Sequence, residues 1–130
     1  MSAAAMQESM ICVLVLSTLL ATAGAAGAQG DAVRGKKLFE ECAACHSLER
    51  GVHGVGPSLL GVFGRKAGEL EDYRYSPPLK RSGIAWNPRT MDAFIADPQK
   101  EIRGNKMPYS GMPDVRDRAD LIEYLRNAAM

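Results

Sequence analysis

Two cysteines and a histidine fall within five consecutive residues, Cys42-Ala43-Ala44-Cys45-His46, and no other feature limits the possible folds as strongly. The C-x-x-C-H spacing is the attachment signature of c-type haem. Two thiols three positions apart on a helical turn reach both vinyl groups of a porphyrin, and the next residue then places its imidazole under the iron. The motif therefore predicts one haem c per chain, bound covalently through Cys42 and Cys45, with His46 as an iron ligand.

Three other interpretations of the motif agree less well with the rest of the chain. A thioredoxin-like C-x-x-C needs a βαβ context, and no strand pattern is visible nearby. A structural zinc site needs four ligands, whereas the chain after residue 28 has two cysteines and two histidines in all. A disulfide between Cys42 and Cys45 would explain neither His46 nor the low aromatic content of 6%.

The composition agrees with a cofactor inside the protein. The 130 residues allow one domain, and so few aromatic side chains would form only a thin core by themselves. The stretch of 39 residues between His46 and Trp86 is rich in Gly and Pro and has little periodicity. A loop of that length is unusual in a compact domain unless it wraps a ligand. The formal net charge of +1 excludes a strongly basic nucleic-acid-binding protein.

The first 28 residues are predicted to be a cleaved export signal. Residues 11–20 form an apolar run, small residues follow, and Ala26-Gly27-Ala28 fits an A-x-A processing site. Cleavage after Ala28 would leave a domain spanning 29–130, located in the periplasm. Residues 1–10 contain no basic side chain, which departs from the usual signal. The alternative is a segment that stays attached as a membrane anchor.

The remaining chain is predicted to be all-α, with short helices and loops wrapped around one haem. Asp31 is placed to cap a first helix that ends near Cys42. Gly35 lies inside this helix, where glycine costs stability. We therefore expect Gly35 to mark close packing against another helix.

Residues typical of helix ends predict two further helices. Asn87-Pro88 predicts a helix start, with proline at the first helical position, and Asp97-Pro98 predicts the end of that helix. Pro113-Asp114 precedes the last helix. Its apolar face is predicted to comprise Val115, Arg118 through its stem only, Leu121, Ile122 and Leu125.

The iron position opposite the motif histidine has two candidate ligands. His53 follows that histidine by only seven residues, too few to reach the opposite face, and is expected to hydrogen-bond backbone within a loop. Met91 lies in an amphipathic run and is expected in the core, and Met130 is terminal. Met107 and Met112 each precede a proline, which keeps both outside helices. Their spacing leaves the choice between them open.

Several linked motifs occur in the order found in one known family. They are Gly35 and Phe39, CAACH at 42–46, GPSLLGVFGRKAG at 56–68, YRY at 73–75, GIAW at 83–86, DP at 97–98, GNKM at 104–107 and RADLIEYL at 118–125. From residue 30 to 128 the chain resembles class I c-type cytochromes, the mitochondrial cytochromes c and bacterial cytochromes c2. The resemblance implies the small all-α cytochrome c fold.

The resemblance also implies roles for individual residues. The family's axial methionine closes a G-x-K-M stretch, which here ends at Met107, so Met107 rather than Met112 is implied as the second metal ligand. The carbonyl of Pro57 is implied to accept the ring N–H of His46, which orients the imidazole. Three residues match positions that contact or screen a haem propionate, namely Arg65, Tyr75 and Trp86.

Two departures from the family fall on the methionine side of the haem. Phe94 stands where the family often has tyrosine, and Leu79 stands where it often has asparagine. Both changes remove polar partners, so we expect a drier pocket there.

The implied function is that of a soluble one-electron carrier, not an enzyme, and no catalytic residue is expected. A monomer would dock transiently at the haem edge with membrane oxidoreductase complexes, a terminal oxidase or a photosynthetic reaction centre. No nucleic acid is expected as a partner, and membrane association is expected only if the signal stays uncleaved. The alternatives are a haem c subunit or domain of a periplasmic oxidoreductase, and a ligand-binding or peroxidase haem with a labile Met107.

Overall fold

The computed structural model describes residues 29–130, so the predicted export signal lies outside the described residues. Five helices provide the regular structure, α1 (Ala32–Ala43), α2 (Pro77–Arg81), α3 (Pro88–Ala96), α4 (Pro98–Glu101) and α5 (Val115–Ala128). Within 29–130 the β-structure consists of one isolated antiparallel bridge between Lys66 and Ala85. The all-α prediction is confirmed. Among the described helices, none has the length and apolar character needed to cross a bilayer.

Helix α1 begins where the sequence predicted and packs across α5. The Asp31 side chain accepts hydrogen bonds from the backbone N–H groups of Val33 and Arg34, which caps the helix. Gly35 lies at the crossing point. A Cβ added there would overlap the carbonyl oxygen of Asp120 and lie 2.8 Å from Cβ of Tyr124. The predicted close approach at Gly35 is therefore confirmed.

A charged group reinforces the same crossing. Oδ1 of Asp120 accepts a hydrogen bond from the backbone N–H of Asp31 at 2.7 Å, and Oδ2 pairs with Arg34, which also pairs with Asp117. Asp120 is only 3% exposed. The backbone N–H of Asp31 and, to a smaller extent, Arg34 lower the pKa of the Asp120 carboxyl, against the opposing effect of burial.

We expect Asp120→Asn to lower the free energy of unfolding of the haem-loaded protein at pH 7 by about 1–2 kcal/mol. The amide keeps an acceptor for Asp31 but loses the charge that faces Arg34. Because the folded pKa is depressed, the carboxylate stabilises the fold above its unfolded pKa of about 3.9, and this contribution is lost as pH falls through the folded pKa. The difference between the two proteins should therefore shrink in acid.

Denaturant unfolding at several pH values measures this difference. Glu71→Gln is the matched control, because Glu71 is exposed and its replacement should leave stability at pH 7 within about 0.5 kcal/mol. A difference between Asp120→Asn and the parent that does not change with pH would contradict the explanation by charge.

The last helix begins at Val115, as Pro113-Asp114 predicted, but two residues of its predicted apolar face behave differently. Val115 lies in the first turn and is 68% exposed, so its assignment to the packed apolar face was wrong. Arg118 buries its guanidinium as well as its stem, since Nη1 donates to the carbonyl oxygens of Met112 at 2.9 Å and Pro113 at 2.8 Å. Its Nε pairs with Asp92 of α3 at 2.7 Å. These partners make burial of the charge tolerable and connect the loop before α5 to α3.

The predicted helix between Asn87 and Asp97 is also confirmed. Asn87 and Thr90 form a reciprocal capping box at the start of α3. Asp97 ends α3 and caps α4, because its side chain accepts from the backbone N–H of Lys100 at 3.0 Å. Helices α2 and α4 were not predicted, since five and four residues are too few to show a helical period.

Candidate haem site

An apolar pocket opens beside the C-terminal end of α1. The Gly/Pro-rich stretch, α2, α3 and the loop between α4 and α5 provide most of its wall, and Leu121 of α5 also lines it. Phe94 and Leu79 both line it. Both stand where the family often has a polar residue, and both contribute only hydrocarbon to the pocket wall.

The two motif cysteines line this pocket as free thiols. Cys42 lies in the last turn of α1 and Cys45 follows the helix, and both side chains are half-buried. Burial, and to a smaller extent the neighbouring Glu41, raises the pKa of the Cys42 thiol to about 11. That thiol therefore stays neutral in the apolar pocket near pH 7.

His46 turns one ring nitrogen to the backbone and keeps the other available. Its Nδ1 lies 2.7 Å from the carbonyl oxygen of Pro57, which has no proton, so Nδ1–H donates and Nε2 keeps its lone pair. Burial lowers the pKa of His46, which keeps the ring neutral and able to bind a metal. Gly56 is required beside this ring, because an added Cβ would overlap Cε1 of His46.

Met107 lines the same pocket from the loop between α4 and α5, whereas Met112 is absent from the lining. Met112 is 6% exposed within the hydrophobic core, and its backbone N–H donates to the carbonyl of Ile95 at 2.8 Å. Met91 also reaches the pocket from α3, but it belongs to the core, as predicted. Two methionines of the described residues therefore line the pocket, Met91 from helix α3 and Met107 from a loop.

Asn105, which was not among the predicted site residues, holds the Met107 loop in place. Its Oδ1 accepts from the backbone N–H of Met107 at 2.8 Å, and its Nδ2 donates to the carbonyls of Pro98 at 2.7 Å and Ile102 at 2.9 Å. The residue is 6% exposed. Its place in the GNKM motif, two residues before Met107, was the available signal.

The three residues assigned to a propionate all line the pocket. Arg65 donates to the carbonyl oxygens of Ser58 at 2.9 Å and Leu60 at 3.1 Å, and so fixes its own loop. Tyr75 packs edge-on against Tyr73, and burial raises its pKa, so it stays a hydroxyl. Trp86 is 8% exposed and packs edge-on against Phe94. Their role toward a propionate stays a prediction.

The residues present suit a covalently bound haem. Two free thiols, a neutral imidazole with an available Nε2 and a thioether line one apolar pocket. Imidazole and thioether are a known axial pair for haem iron. Within residues 29–130 no group of three or more His, Cys, Asp or Glu residues forms a separate metal cluster.

Comparison with known proteins agrees with this arrangement. The sequence model of the family described as cytochrome c matches residues 32–129. Cytochrome c2 iso-2 of Magnetospirillum fulvum is 47% identical over 89 residues, which are 68% of this chain and 93% of that protein. Cytochrome c of Euglena viridis is 43% identical over 98 residues, 75% of this chain and 96% of that protein. The solved structure of cytochrome cH from Methylobacterium extorquens superposes with a TM-score of 0.71 at 43% identity, covering 75% of this chain and 99% of that one.

Proposed function

Because this chain belongs to the cytochrome c family, whose members carry electrons on a covalently attached haem c, we propose that it shuttles single electrons between redox proteins of the periplasm. The observation that carries the proposal is the presence of Cys42, Cys45, His46 and Met107 around one apolar pocket. When bound, the haem supplies an iron centre that takes up and releases one electron.

Each of these residues has a distinct part in the proposal. Cys42 and Cys45 would hold the haem, and His46 and Met107 would occupy both axial positions of the iron. A thioether ligand favours the reduced form and raises the potential. The apolar wall acts in the same direction, because it disfavours the extra charge of the oxidised centre.

The alternative function, a ligand-binding or peroxidase haem with a labile Met107, requires the loop that carries Met107 to move. The packing of this loop argues against such movement. Gly104 and Gly111 flank the methionine with φ of 83° and 107°. A Cβ at Gly111 would overlap the carbonyl oxygen of Ala96, so this turn is pressed against the end of α3. Together with the Asn105 hydrogen bonds, this contact supports a fixed ligand and hence a carrier.

The sequence and the relatives support the proposed location and partners. Residues 1–28 would act as an export signal cleaved after Ala28, which leaves the cytochrome domain 29–130 in the periplasm. Docking would occur where Glu41, Cys42 and Tyr109 line the pocket, since Glu41 is exposed there and Tyr109 Oη lies 3.5 Å from its carboxylate. The proposed partners are membrane oxidoreductase complexes, a terminal oxidase or a reaction centre, each bound transiently by a monomer.

Expression of the full chain with a c-type maturation system tests the proposal. We expect a mass increase of one haem that survives extraction with acidified organic solvent, and a redox titration with about 59 mV per tenfold change in the ratio of oxidised to reduced protein. Cys45→Ala should leave a single thioether bond and a correspondingly altered ferrous spectrum. Haem that washes out intact from the parent protein would contradict covalent attachment.

A further inference from the structure

Three polar contacts connect Nδ1 of His46 to a carboxylate on the protein surface. Nδ1 donates to the carbonyl oxygen of Pro57 at 2.7 Å. The N–H of the same peptide group, on Ser58, donates to Nδ1 of His53 at 2.9 Å. Nε2 of His53 then lies 3.1 Å from Oδ2 of Asp72. A single peptide group therefore separates the two histidines.

The second contact, from the Ser58 N–H to His53, determines which nitrogen of His53 carries the proton. A backbone N–H can donate only to a lone pair, so Nδ1 of His53 is unprotonated and the neutral ring has its proton on Nε2. The backbone contact of a loop histidine is the one the sequence predicted. Nε2 is buried and close to Asp72, although the carboxylate lies off the N–H axis and does not complete a hydrogen bond. The His53 side chain is 15% exposed and that of Asp72 is 60% exposed.

The loop around His53 holds the ring in this position. Oγ of Ser58 donates to the carbonyl of Glu49 at 2.6 Å. Tyr73 packs edge-on against the His53 ring with centroids 5.5 Å apart, and its hydroxyl donates to the carbonyl of Val55. The acceptor at Nδ1 is thus fixed in front of the Ser58 N–H.

We propose that His53 is a positioning residue for His46, acting through the Pro57–Ser58 peptide to set how strongly the His46 imidazole donates to the iron. A peptide whose N–H is hydrogen-bonded becomes a better acceptor at its carbonyl oxygen. A stronger bond at Nδ1 makes His46 more basic at Nε2, as such outer contacts do for metal-bound histidines. More donation favours the oxidised form, so His53 lowers the reduction potential. The inference rests on the proposed function, with His46 as a ligand.

A matched pair of substitutions separates the hydrogen bond from the shape of the side chain. Oδ1 of asparagine and Nδ1 of histidine both extend from Cγ, so His53→Asn keeps an acceptor for Ser58. His53→Leu places a methyl group there and removes it. We expect His53→Leu to raise the potential enough to change the ratio of reduced to oxidised protein about twofold to fourfold at fixed ambient potential. His53→Asn should stay closer to the parent.

A second readout follows the bond itself. In the reduced protein the proton NMR resonance of His46 Hδ1 should move upfield in His53→Leu, as its bond to Pro57 weakens, and less in His53→Asn. Equal shifts of the potential in the two variants, or no shift of potential or resonance in either, would show that His53 only supports the loop.

A measurement on the parent protein keeps the inference testable if the leucine variant does not fold. Nitrogen NMR of the neutral His53 ring should show the proton on Nε2. A proton on Nδ1 would overturn the inference, since the Ser58 N–H would then have no acceptor. Failure of the proposed function can be told apart from failure of this inference, because in the former case the parent protein would itself lack a one-electron couple or a covalent haem.

Discussion

Met107→Ala is expected to change the reduced protein from one that ignores carbon monoxide to one that binds it stoichiometrically. In the parent protein, His46 and Met107 would fill both axial positions, so the gas has no site. Alanine cannot reach the iron, and the loop held by Asn105 brings no other sulfur atom to that place. The low-spin spectrum should be lost and the potential should fall, because the thioether that favours the reduced iron is gone.

Two controls make this assignment specific. Met112→Leu replaces the methionine that lies in the core, and Met91→Leu replaces the one that reaches the pocket from α3. Leucine fills a similar volume, so the cost in stability should stay below about 1.5 kcal/mol. Visible spectra with and without the gas should match the parent for both controls. A low-spin spectrum that survives Met107→Ala and disappears in either control would move the ligand to that other methionine.

Gly35→Ala should lower the free energy of unfolding of the haem-loaded protein by about 3 kcal/mol. Alanine normally stabilises a helix interior by about 1 kcal/mol relative to glycine. Here its Cβ would overlap the carbonyl of Asp120, a backbone atom that cannot move aside without shifting α5. The helices must separate, which also weakens the contact between Phe39 and Tyr124.

Glu40→Ala is the matched control for this experiment. Glu40 is exposed on the same helix, and its replacement should change stability by no more than about 0.5 kcal/mol. Chemical denaturation of the three proteins measures the difference. A stabilised Gly35→Ala variant would mean that the crossing of α1 and α5 is looser than the structure shows.

Features decided within a few residues were predictable from the sequence. Asp31 and Asn87 are capping residues whose partners lie two or three positions away, so the starts of α1 and α3 were predicted. The end of α3 was predicted from Asp97-Pro98, although the helix that Asp97 caps was not. The predictions for Val115 and Arg118 failed for different reasons. A helical period does not show how far the neighbouring element extends along the helix, so the exposure of Val115 was not foreseen. Nor does it show which backbone carbonyls lie close enough to accept hydrogen bonds from the Arg118 guanidinium.

The residues of the site can likewise be divided into those predictable from local sequence and those whose placement depends on the fold. Cys42, Cys45 and His46 are adjacent in sequence, and their chemistry could be inferred from spacing alone. Met107 and Met112 have the same local context, since each precedes a proline. Only the turn at Gly111 and the hydrogen bonds of Asn105 bring one to the pocket and the other to the core. The approach of Gly111 to Ala96 joins two separate segments, and the Asn105 bonds are local, but the spacing of the two methionines reports neither. The resemblance, through the GNKM motif, was the part of the sequence that implied Met107.

The pairing of α1 with α5 has a consequence for the order of events in biosynthesis. Helix α1, which carries Cys42 in its last turn, packs mainly against α5, which ends at Ala128. The carbonyl of Ala129 accepts from the N–H of Gly61 at 2.6 Å. Nearly the whole polypeptide must therefore be released before the first helix has its partner. Until then both thiols remain accessible on an open chain, so an enzyme that attaches the haem would meet an unfolded substrate, and tertiary structure would form afterwards.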